Sequence, residues 1–152
     1  RKRITRSTKI NKKMTQNLVK KVKVAVYGSL RKGLHNHRLL QGEKFVGQFE
    51  TDPLYSLIDL GSFPGLLKDG NTAVLMEVFE VNADKLKKLD SLEGYHGKGE
   101  NNFYNREKIE SPFGELYTYF YNRSSDLIKS KAIENGDWSD YVKTKKIRQF
   151  IS

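Results

Sequence analysis

The stretch Val22-Lys-Val-Ala-Val-Tyr-Gly-Ser-Leu-Arg-Lys-Gly33 decides how the rest of this 152-residue chain can fold. Its first half is rich in β-branched residues, which predicts a buried strand over residues 22–27. The strand breaks at Gly28-Ser29, where the backbone can turn sharply and come close to a ligand. A short polar segment with helical character is predicted to follow, over residues 31–40.

A strand that turns through glycine into the start of a helix directs several backbone N–H groups at one point. Such an arrangement suits an anion, either a phosphate or a carboxylate, and the pattern alone does not choose between them. A P-loop is excluded, because the chain contains neither GxxxxGK[ST] nor GxGxxG at this position. A tight strand-to-helix turn that binds nothing is the alternative interpretation.

The composition indicates a globular protein without thiol chemistry. The chain has no cysteine, which excludes disulfides and zinc sites built on thiolates. No apolar run reaches the length of a membrane span and no signal-peptide core is present, so we expect a cytoplasmic protein with no membrane contact. His35 and His37 lie two residues apart and would not face each other on a helix, so no metal site is expected.

The net charge of +10 is concentrated at the amino-terminal end. Residues 1–23 hold ten Lys or Arg and no acidic residue, whereas the remainder holds 18 basic and 18 acidic residues. This pattern predicts a basic, disordered arm over residues 1–21 and a single domain over residues 22–152. The arm could also bind nucleic acid nonspecifically or act as a targeting segment. Translation starting at Met14, with residues 1–13 of other origin, is a third interpretation.

The periodicity of the remaining sequence predicts a mixed α+β fold. Asn82 is predicted to cap a helix over Ala83–Glu93 that Gly94 closes. Loops or turns are predicted at residues 61–65, 69–71 and 95–102, a hairpin turn at residues 111–114 and a break at residues 136–138 of the last segment, 126–152. Further strands are predicted at residues 45–49, 54–58, 72–81, 103–110 and 115–121. Five or six strands with two or three short helices indicate a compact, partly closed barrel of mixed strands.

Glu93 is the carboxylate that the helix pattern singles out. It lies seven residues after Leu86 and four after Leu89, so it continues the apolar face of the helix. It also lies in the last turn, where the helix dipole is negative. Desolvation and the dipole would both raise its pKa, towards a range where one group can accept and then donate a proton. A frayed helix end with Glu93 in solvent is the alternative, and Asp90 fits the same face.

Four segments of the chain together resemble one known family. They are Tyr27-Gly-Ser-Leu30 followed by Arg-Lys-Gly, Leu89-Asp-Ser-Leu-Glu-Gly94, Phe103-Tyr-Asn-Arg106 and Ile133-Glu-Asn-Gly-Asp-Trp138. In sequence and spacing they are similar to the gamma-glutamylcyclotransferase family, the AIG2-like group that includes gamma-glutamylamine cyclotransferases. The resemblance extends over residues 22–141.

The resemblance implies a compact barrel with a cavity at one end. It implies that the loop of Tyr27, Gly28, Ser29 and Leu30 holds a glutamyl group through its backbone, and that Glu93 is the catalytic acid and base. The implied substrate is a small gamma-glutamyl amine or peptide, which would give 5-oxoproline and a free amine without a metal or cofactor. By the same similarity Tyr121 would close the pocket with its hydroxyl.

The chemistry of such a reaction agrees with the residues available. The free α-amine would attack the γ-carbonyl within one molecule, so the enzyme supplies proximity instead of a nucleophile. One carboxylate of raised pKa could take the proton from the amine and return it to the leaving group. The N–H groups after Gly28 would bind either the α-carboxylate or the developing oxyanion.

Two aspects of the predicted pocket stay open in the sequence. Tyr117, Tyr119 and Tyr121 share one strand face, and Tyr104 is a further candidate for substrate binding, although simple packing would explain each of them. Residues 95–102 could form a lid or an idle surface loop, and substrate choice is expected there. The alternative function is a non-catalytic binding module that uses the cavity or the basic arm, with salt-sensitive nucleic-acid binding that is lost on deletion of residues 1–21.

Overall fold

A computed structural model describes residues 20–122 and 131–151 of the chain. Its centre is strand β1 (Lys21–Val26) in a five-stranded mixed sheet of order β2-β5-β1-β7-β6. The other strands of this sheet are β2 (Lys44–Glu50), β5 (Leu75–Asn82), β6 (Tyr104–Ser111) and β7 (Gly114–Tyr121). Strand β1 pairs antiparallel with β5 and parallel with β7.

Both faces of β1 are covered, which explains its uninterrupted apolar sequence. Val24 and Val26 face the first α-helix, α1 (Ala83–Glu93), and pack in one cluster with its buried Leu89. Ala25 belongs to the second cluster, on the opposite face. That cluster includes side chains of a separate hairpin, β3 (Tyr55–Asp59) and β4 (Pro64–Thr72), and Trp138 of the second helix, α2 (Trp138–Ile151).

The α+β fold class is confirmed, with seven strands in the described residues where the sequence predicted five or six. A short 3-10 helix, His37–Leu40, lies between β1 and β2, so residues 31–40 are helical only at their end. Helix α1 has the predicted bounds. The Asn82 side chain accepts from the Lys85 N–H at 2.8 Å, and Gly94 ends the helix at a φ of 66°. The β6–β7 hairpin is also confirmed.

The predicted turn at residues 69–71 is wrong, because β4 continues through it. Tyr55 pairs with Thr72 whereas Ser56 pairs with Leu67, so the intervening residues bulge out of register without ending the strand. A Cβ on Gly70 would lie 2.1 Å from Ser56 Oγ. This glycine therefore permits a close approach of the two strands, a role that the sequence does not distinguish from that of a turn.

The strand predicted over residues 72–81 is divided at its start. Val74 leaves the ladder because its N–H donates to Thr51 Oγ1 and its carbonyl accepts from the Thr51 N–H, both at 2.9 Å. Strand β5 begins at Leu75, whose N–H donates to the Gly136 carbonyl at 2.9 Å. The predicted break around Gly136 is confirmed by its φ of 67°, but the helix that follows it was not predicted.

The ends of the chain are only partly described. Of the predicted arm, residues 1–19 lie outside the described residues, and Lys21 already belongs to β1. The predicted last segment begins at residues 126–130, which also lie outside them. Within the described ranges no helix is long and apolar enough to cross a membrane.

Candidate active site

A cavity of about 260 Å³ lies where β1 ends, between the end of α1 and the β3–β4 hairpin. This volume is at the small end of ligand pockets and suits a group of amino-acid size. The cavity is lined by Ala25, Val26, Tyr27, Gly28, Ser29, Leu30, Asn36, Phe63, Pro64, Leu92, Glu93, Phe103, Tyr104 and Tyr119. Six of the seven residues that the sequence predicted for the site are among them, and Tyr121 is not.

The loop of residues 27–30 leaves its amides available. The carbonyls of Gly28 and Ser29 accept from the N–H groups of Arg31 and Asn36, each at 3.0 Å. By contrast, the N–H groups of Gly28, Ser29 and Leu30 donate to no acceptor in the part of the chain that the structure describes. Free donors at the wall of a cavity are suited to an anionic oxygen.

Gly28 is needed for close packing and not for an unusual φ. A Cβ at this position would lie 2.7 Å from both Cγ and Cδ of Pro64. The loop thus sits directly against the start of β4, and the two segments form adjacent parts of the cavity wall.

Arg31 holds the loop in place through buried ion pairs. It is 5% exposed, and its guanidinium pairs with Glu77 of β5 at 3.0 Å and with Asp137 at 2.8 Å. The second oxygen of Glu77 accepts from the Lys32 N–H at 2.8 Å. The positive charge of Arg31 is therefore balanced by these two carboxylates. This network was not predicted from the sequence, although an acidic residue within the apolar run of β5 was a visible signal.

Glu93 lies at the carboxyl end of α1 with its side chain at the cavity. Burial first, and then the charge of Asp90, raises the pKa of its carboxyl from 4.5 to about 7. No group in the described ranges donates a hydrogen bond to it. A carboxylate without donors keeps this raised pKa, which suits a group that must both accept and donate a proton near neutral pH.

Asp90 shares the helix face of Glu93 but has partners of its own. Its Oδ2 accepts from Arg106 Nη1 at 2.5 Å, and its Oδ1 accepts from the Tyr119 hydroxyl at 2.7 Å. Asp90 is also absent from the residues that line the cavity. The helix pattern did not distinguish the two carboxylates, but their surroundings differ: Asp90 is engaged by Arg106 and Tyr119, whereas Glu93 lines the cavity.

The tyrosines divide into cavity residues and supporting residues. Tyr104 lines the cavity, as does Tyr119, which the sequence analysis named only as a member of a strand face. Tyr121 packs its ring against Phe103 and Tyr104, with centroids 5.4 and 5.8 Å away. Strand alternation places Tyr117, Tyr119 and Tyr121 on one face and carries no signal for which of them reaches the cavity.

Residues 95–102 are held together by Asn102. This side chain is 1% exposed, accepts from the His96 N–H at 2.7 Å and donates to the Gly97 carbonyl at 2.8 Å. None of these eight residues lines the cavity, although Phe103 directly after them does. The suggested lid function stays a prediction.

One of the two histidines that follow the loop, His37, supports it. His37 Nδ1 lies 2.8 Å from the Leu30 carbonyl oxygen, and its ring packs 5.6 Å from that of Phe79. His35 is exposed. No group of three or more His, Cys, Asp or Glu side chains is arranged to hold a metal within residues 20–122 and 131–151.

Comparison with known proteins identifies relatives over most of the chain. A protein of Vibrio cholerae described only as a candidate gamma-glutamylcyclotransferase is 42% identical over 119 residues, which are 78% of this chain and 96% of that protein. The gamma-L-glutamyl-butirosin B gamma-glutamyl cyclotransferase of Niallia circulans is 35% identical over 124 residues, covering 76% of this chain and 74% of the relative.

The fold is also that of a solved relative. The solution structure of YtfP from Escherichia coli superposes with a TM-score of 0.61 at 34% identity, covering 79% of this chain and 98% of YtfP. The family model described as gamma-glutamyl cyclotransferase, AIG2-like, matches residues 24–140, from the centre of β1 into α2. These residues include the loop, the helix and the tyrosine strands that form the cavity, and the chain belongs to the AIG2-like gamma-glutamyl cyclotransferase family.

Proposed function

We propose that this chain converts a gamma-glutamyl amine or peptide into 5-oxoproline and a free amine, with Glu93 as the general acid and base. One observation carries the proposal. The Glu93 carboxyl lies at a cavity of amino-acid size, has a pKa of about 7, and shares the cavity wall with the free amides of residues 28–30. Membership of the family supports a cyclotransferase reaction.

The reaction needs one proton acceptor that becomes a donor. The α-amino nitrogen of the glutamyl group attacks its own γ-carbonyl carbon, and Glu93 takes a proton from that nitrogen. The bond from the γ-carbon to the leaving nitrogen then breaks, and Glu93 returns the proton to the leaving amine. No electron is gained or lost, and a carboxyl of pKa about 7 can serve both steps at neutral pH.

The protein's further contribution is to hold the glutamyl chain folded. Intramolecular attack is fast only when the amine and the carbonyl are held close together and aligned. The loop amides of Gly28, Ser29 and Leu30 can bind the α-carboxylate, which would fix the head of the substrate, or the oxyanion, which would stabilise the tetrahedral intermediate. Both roles for these amides are compatible with their position.

The size of the cavity favours recognition of the glutamyl group over the leaving group. A volume of about 260 Å³ accommodates the head of the substrate, so a larger amine would extend outside. The Niallia circulans relative is named for a gamma-glutamyl derivative of butirosin B, which supports a gamma-glutamyl amine as the substrate class.

Release of 5-oxoproline from a small panel tests the proposal. The panel contains a gamma-glutamyl dipeptide, glutathione and gamma-glutamyl-lysine, each with the wild-type protein, Glu93→Gln and the control Glu100→Gln on the neighbouring loop. We expect release from at least one compound, lost in Glu93→Gln and kept in Glu100→Gln. Equal release by Glu93→Gln and wild type would refute the role of Glu93, and release from none would refute this substrate class.

A further inference from the structure

We propose that the cavity binds the α-amino group of its substrate as an ammonium ion, held by the hydroxyl oxygens of Tyr104 and Tyr119 beside Glu93. The inference rests on the proposed function and names the two side chains that select a free amine. It follows from the acceptors to which the hydroxyl groups of the cavity tyrosines donate their hydrogen bonds.

The Tyr104 hydroxyl donates its proton to a hydrogen bond within the protein. Its oxygen lies 2.6 Å from the carbonyl oxygen of Pro64. A carbonyl oxygen can only accept, and a tyrosine hydroxyl has a single proton, so Tyr104 must be the donor in this bond. What Tyr104 has left to offer the cavity is a lone pair.

The Tyr119 hydroxyl also donates its proton to a hydrogen bond within the protein. Its hydroxyl lies 2.7 Å from Asp90 Oδ1, while Asp90 Oδ2 is paired with Arg106. A carboxylate paired with a guanidinium accepts hydrogen bonds and donates none. The proton of Tyr119 therefore points to Asp90. The Tyr119 oxygen, like that of Tyr104, can offer a ligand in the cavity only a lone pair.

The Tyr27 hydroxyl is engaged with the backbone. It donates to the Tyr119 carbonyl oxygen at 2.6 Å. Its proton is thus used within the protein. Tyr27 shapes the cavity, whereas Tyr104 and Tyr119 keep lone pairs for a ligand.

The charges around Glu93 complete the argument. Groups that face it are Asp90 on its own helix, Tyr27 directly after β1, Tyr104 on β6 and Tyr119 on β7. Burial is the largest cause of the raised pKa of each of the three hydroxyls, and the charge of Glu93 contributes to all three. The phenols thus keep their protons at neutral pH, and none of these protons is directed at Glu93.

The cavity wall has no cation to balance Glu93. No Lys, Arg or His is present among the residues that line it in the described part of the chain. Arg106, the cation near α1, is already paired with Asp90. A carboxylate and two acceptor oxygens without a balancing cation favour a bound cation.

An α-ammonium fits this set of groups atom by atom. An α-amine of ordinary pKa, about 8, is mostly protonated at pH 7, so the substrate arrives as a cation and must lose one proton before it attacks. An ammonium has three N–H bonds, one for Glu93 and one for each tyrosine oxygen. When Glu93 takes one proton, the nitrogen gains a lone pair for attack and keeps two N–H bonds, which the tyrosine oxygens accept. As the bond from the γ-carbon to the leaving nitrogen breaks, Glu93 gives its proton to the leaving amine and then passes on a second proton from the attacking nitrogen, so the lactam keeps one N–H and the amine leaves as an ammonium.

The amides of the loop line the same cavity and act there as hydrogen-bond donors. The N–H groups of residues 28–30 supply hydrogen bonds to an anionic oxygen, and the tyrosines accept them from a cation. The cavity therefore offers donors for the carboxylate and acceptors for the ammonium of a free amino acid head group.

Two matched ligands test this assignment. One is the gamma-methylamide of L-glutamate, and the other is the same molecule with hydrogen in place of the α-amino group. Binding of both is measured by calorimetry at pH 7 on the Glu93→Gln protein, which removes turnover, with Tyr104→Phe or Tyr119→Phe added. Tyr117→Phe is the control, since it changes a tyrosine of the same strand that does not line the cavity.

We expect each cavity substitution to weaken binding of the amine ligand about tenfold, the loss typical of one hydrogen bond to a charged group. Binding of the desamino ligand should change less than about twofold, and Tyr117→Phe should change neither. Equal loss for both ligands would show a merely structural role and overturn the inference. Unchanged affinity for the amine ligand, or no preference for it in the parent protein, would also overturn it.

The outcome is separable from that of the proposed function. Selective binding of the amine ligand without any 5-oxoproline release by the wild type would support the ammonium site and refute the reaction. Release of 5-oxoproline without a selective effect of the two tyrosines would support the reaction and refute the ammonium site.

Discussion

Asp90 and Glu93 lie three residues apart on α1 and are chemically almost the same, so their different environments define the site. Asp90 has a guanidinium and a hydroxyl on its two oxygens. Glu93 is buried and has no hydrogen-bond donor among the residues that the structure describes, and the negative charge of Asp90 adds to the cost of ionising it. One carboxylate is therefore held in a hydrogen-bond network, and the other is the group to which we assign proton transfer.

The pH dependence of the reaction follows from this difference. Glu93 must be ionised to accept the proton, and its pKa is about 7, so kcat/KM should rise with pH and level off above about pH 7. Asp90→Asn removes a like charge and leaves the cation of Arg106 unbalanced, and both changes lower the pKa of Glu93. We expect the rising limb to move to lower pH by about half a unit or more.

The pH profile of kcat/KM measured for wild type and Asp90→Asn checks this prediction. Lys87→Gln, an exposed change on the same helix, is the control and should leave the limb in place. If the rising part of the kcat/KM profile of Asp90→Asn keeps its position or moves to higher pH, Asp90 does not set the proton affinity of Glu93.

Glu93 should also reduce the stability of the protein at neutral pH. Its carboxyl binds a proton more tightly in the folded state, with a pKa of about 7, than in the unfolded state, with a pKa of 4.5. The folded state therefore loses stability from this group as pH rises from about 4.5 to 7. Glu93→Gln avoids the loss, and we expect it to raise the free energy of unfolding at pH 8 by about 1 to 3 kcal/mol.

Urea denaturation of wild type and Glu93→Gln at pH 8 and pH 4 measures the effect. The gain should be present at pH 8 and nearly absent at pH 4, where Glu93 is protonated in the fold. A Glu93→Gln protein that is less stable than wild type at pH 8 would contradict the buried, donor-free state of this carboxyl.

The sequence predicts Glu93 and the loop because their signals are local. The spacing of Glu93 from Leu89 gives its helix face, and the glycine after β1 gives the turn. Tyr119 could not be selected in this way, because its position at the cavity depends on the parallel pairing of β7 with β1, which joins residues far apart in the chain. The same holds for the bond between Arg31 and Glu77.

At the scale of elements, the best predicted one is helix α1, whose ends are fixed by neighbouring residues. Asn82 and Gly94 supply its caps within one turn. The start of β5 was predicted wrongly because Thr51 and Gly136, which are distant in sequence, take the hydrogen bonds of residues 74 and 75. Strand β4 was missed because its glycine serves a close strand approach.

The contact between the loop and β4 is the element-scale feature most open to test. Gly28→Ala would place a Cβ 2.7 Å from the ring of Pro64 and force the β3–β4 hairpin away from β1. We expect a loss of stability of about 1 to 3 kcal/mol from this overpacking, with reduced 5-oxoproline release as the cavity wall moves.

Thermal denaturation and the release assay on Gly28→Ala measure both effects. Pro64→Ala provides the matched partner, because it removes the ring that the new methyl group would strike. The double variant Gly28→Ala, Pro64→Ala should be more stable than the sum of the two single losses predicts. Simple additivity would mean that the two residues do not meet as described.

At the scale of the whole molecule, the charge and the candidate chemistry are separated. The ten basic residues of the first 23 account for the net charge of +10, and the remainder of the chain is neutral. The cavity is built from residues 25–119, all within the match to the family. We therefore expect the domain to work without the arm.

Deletion of residues 1–19, which end before β1, tests this independence. The deleted protein should keep its melting temperature and its rate of 5-oxoproline release within about twofold of the full chain. Salt-sensitive binding of nucleic acid, if the full chain shows it, should disappear with the same residues. Loss of release on deletion would show that the arm takes part in catalysis, against the separation described here.

Proton transfer by Glu93 can be tested by the rate of 5-oxoproline release by Glu93→Gln, compared with that of Asp90→Asn at pH 8 on a substrate that the wild type turns over. Proton transfer by Glu93 predicts a loss of about a hundredfold or more for Glu93→Gln, in line with the usual size of general acid–base catalysis, and a far smaller loss for Asp90→Asn. Full activity of Glu93→Gln, or an equal loss in the two variants, would contradict it.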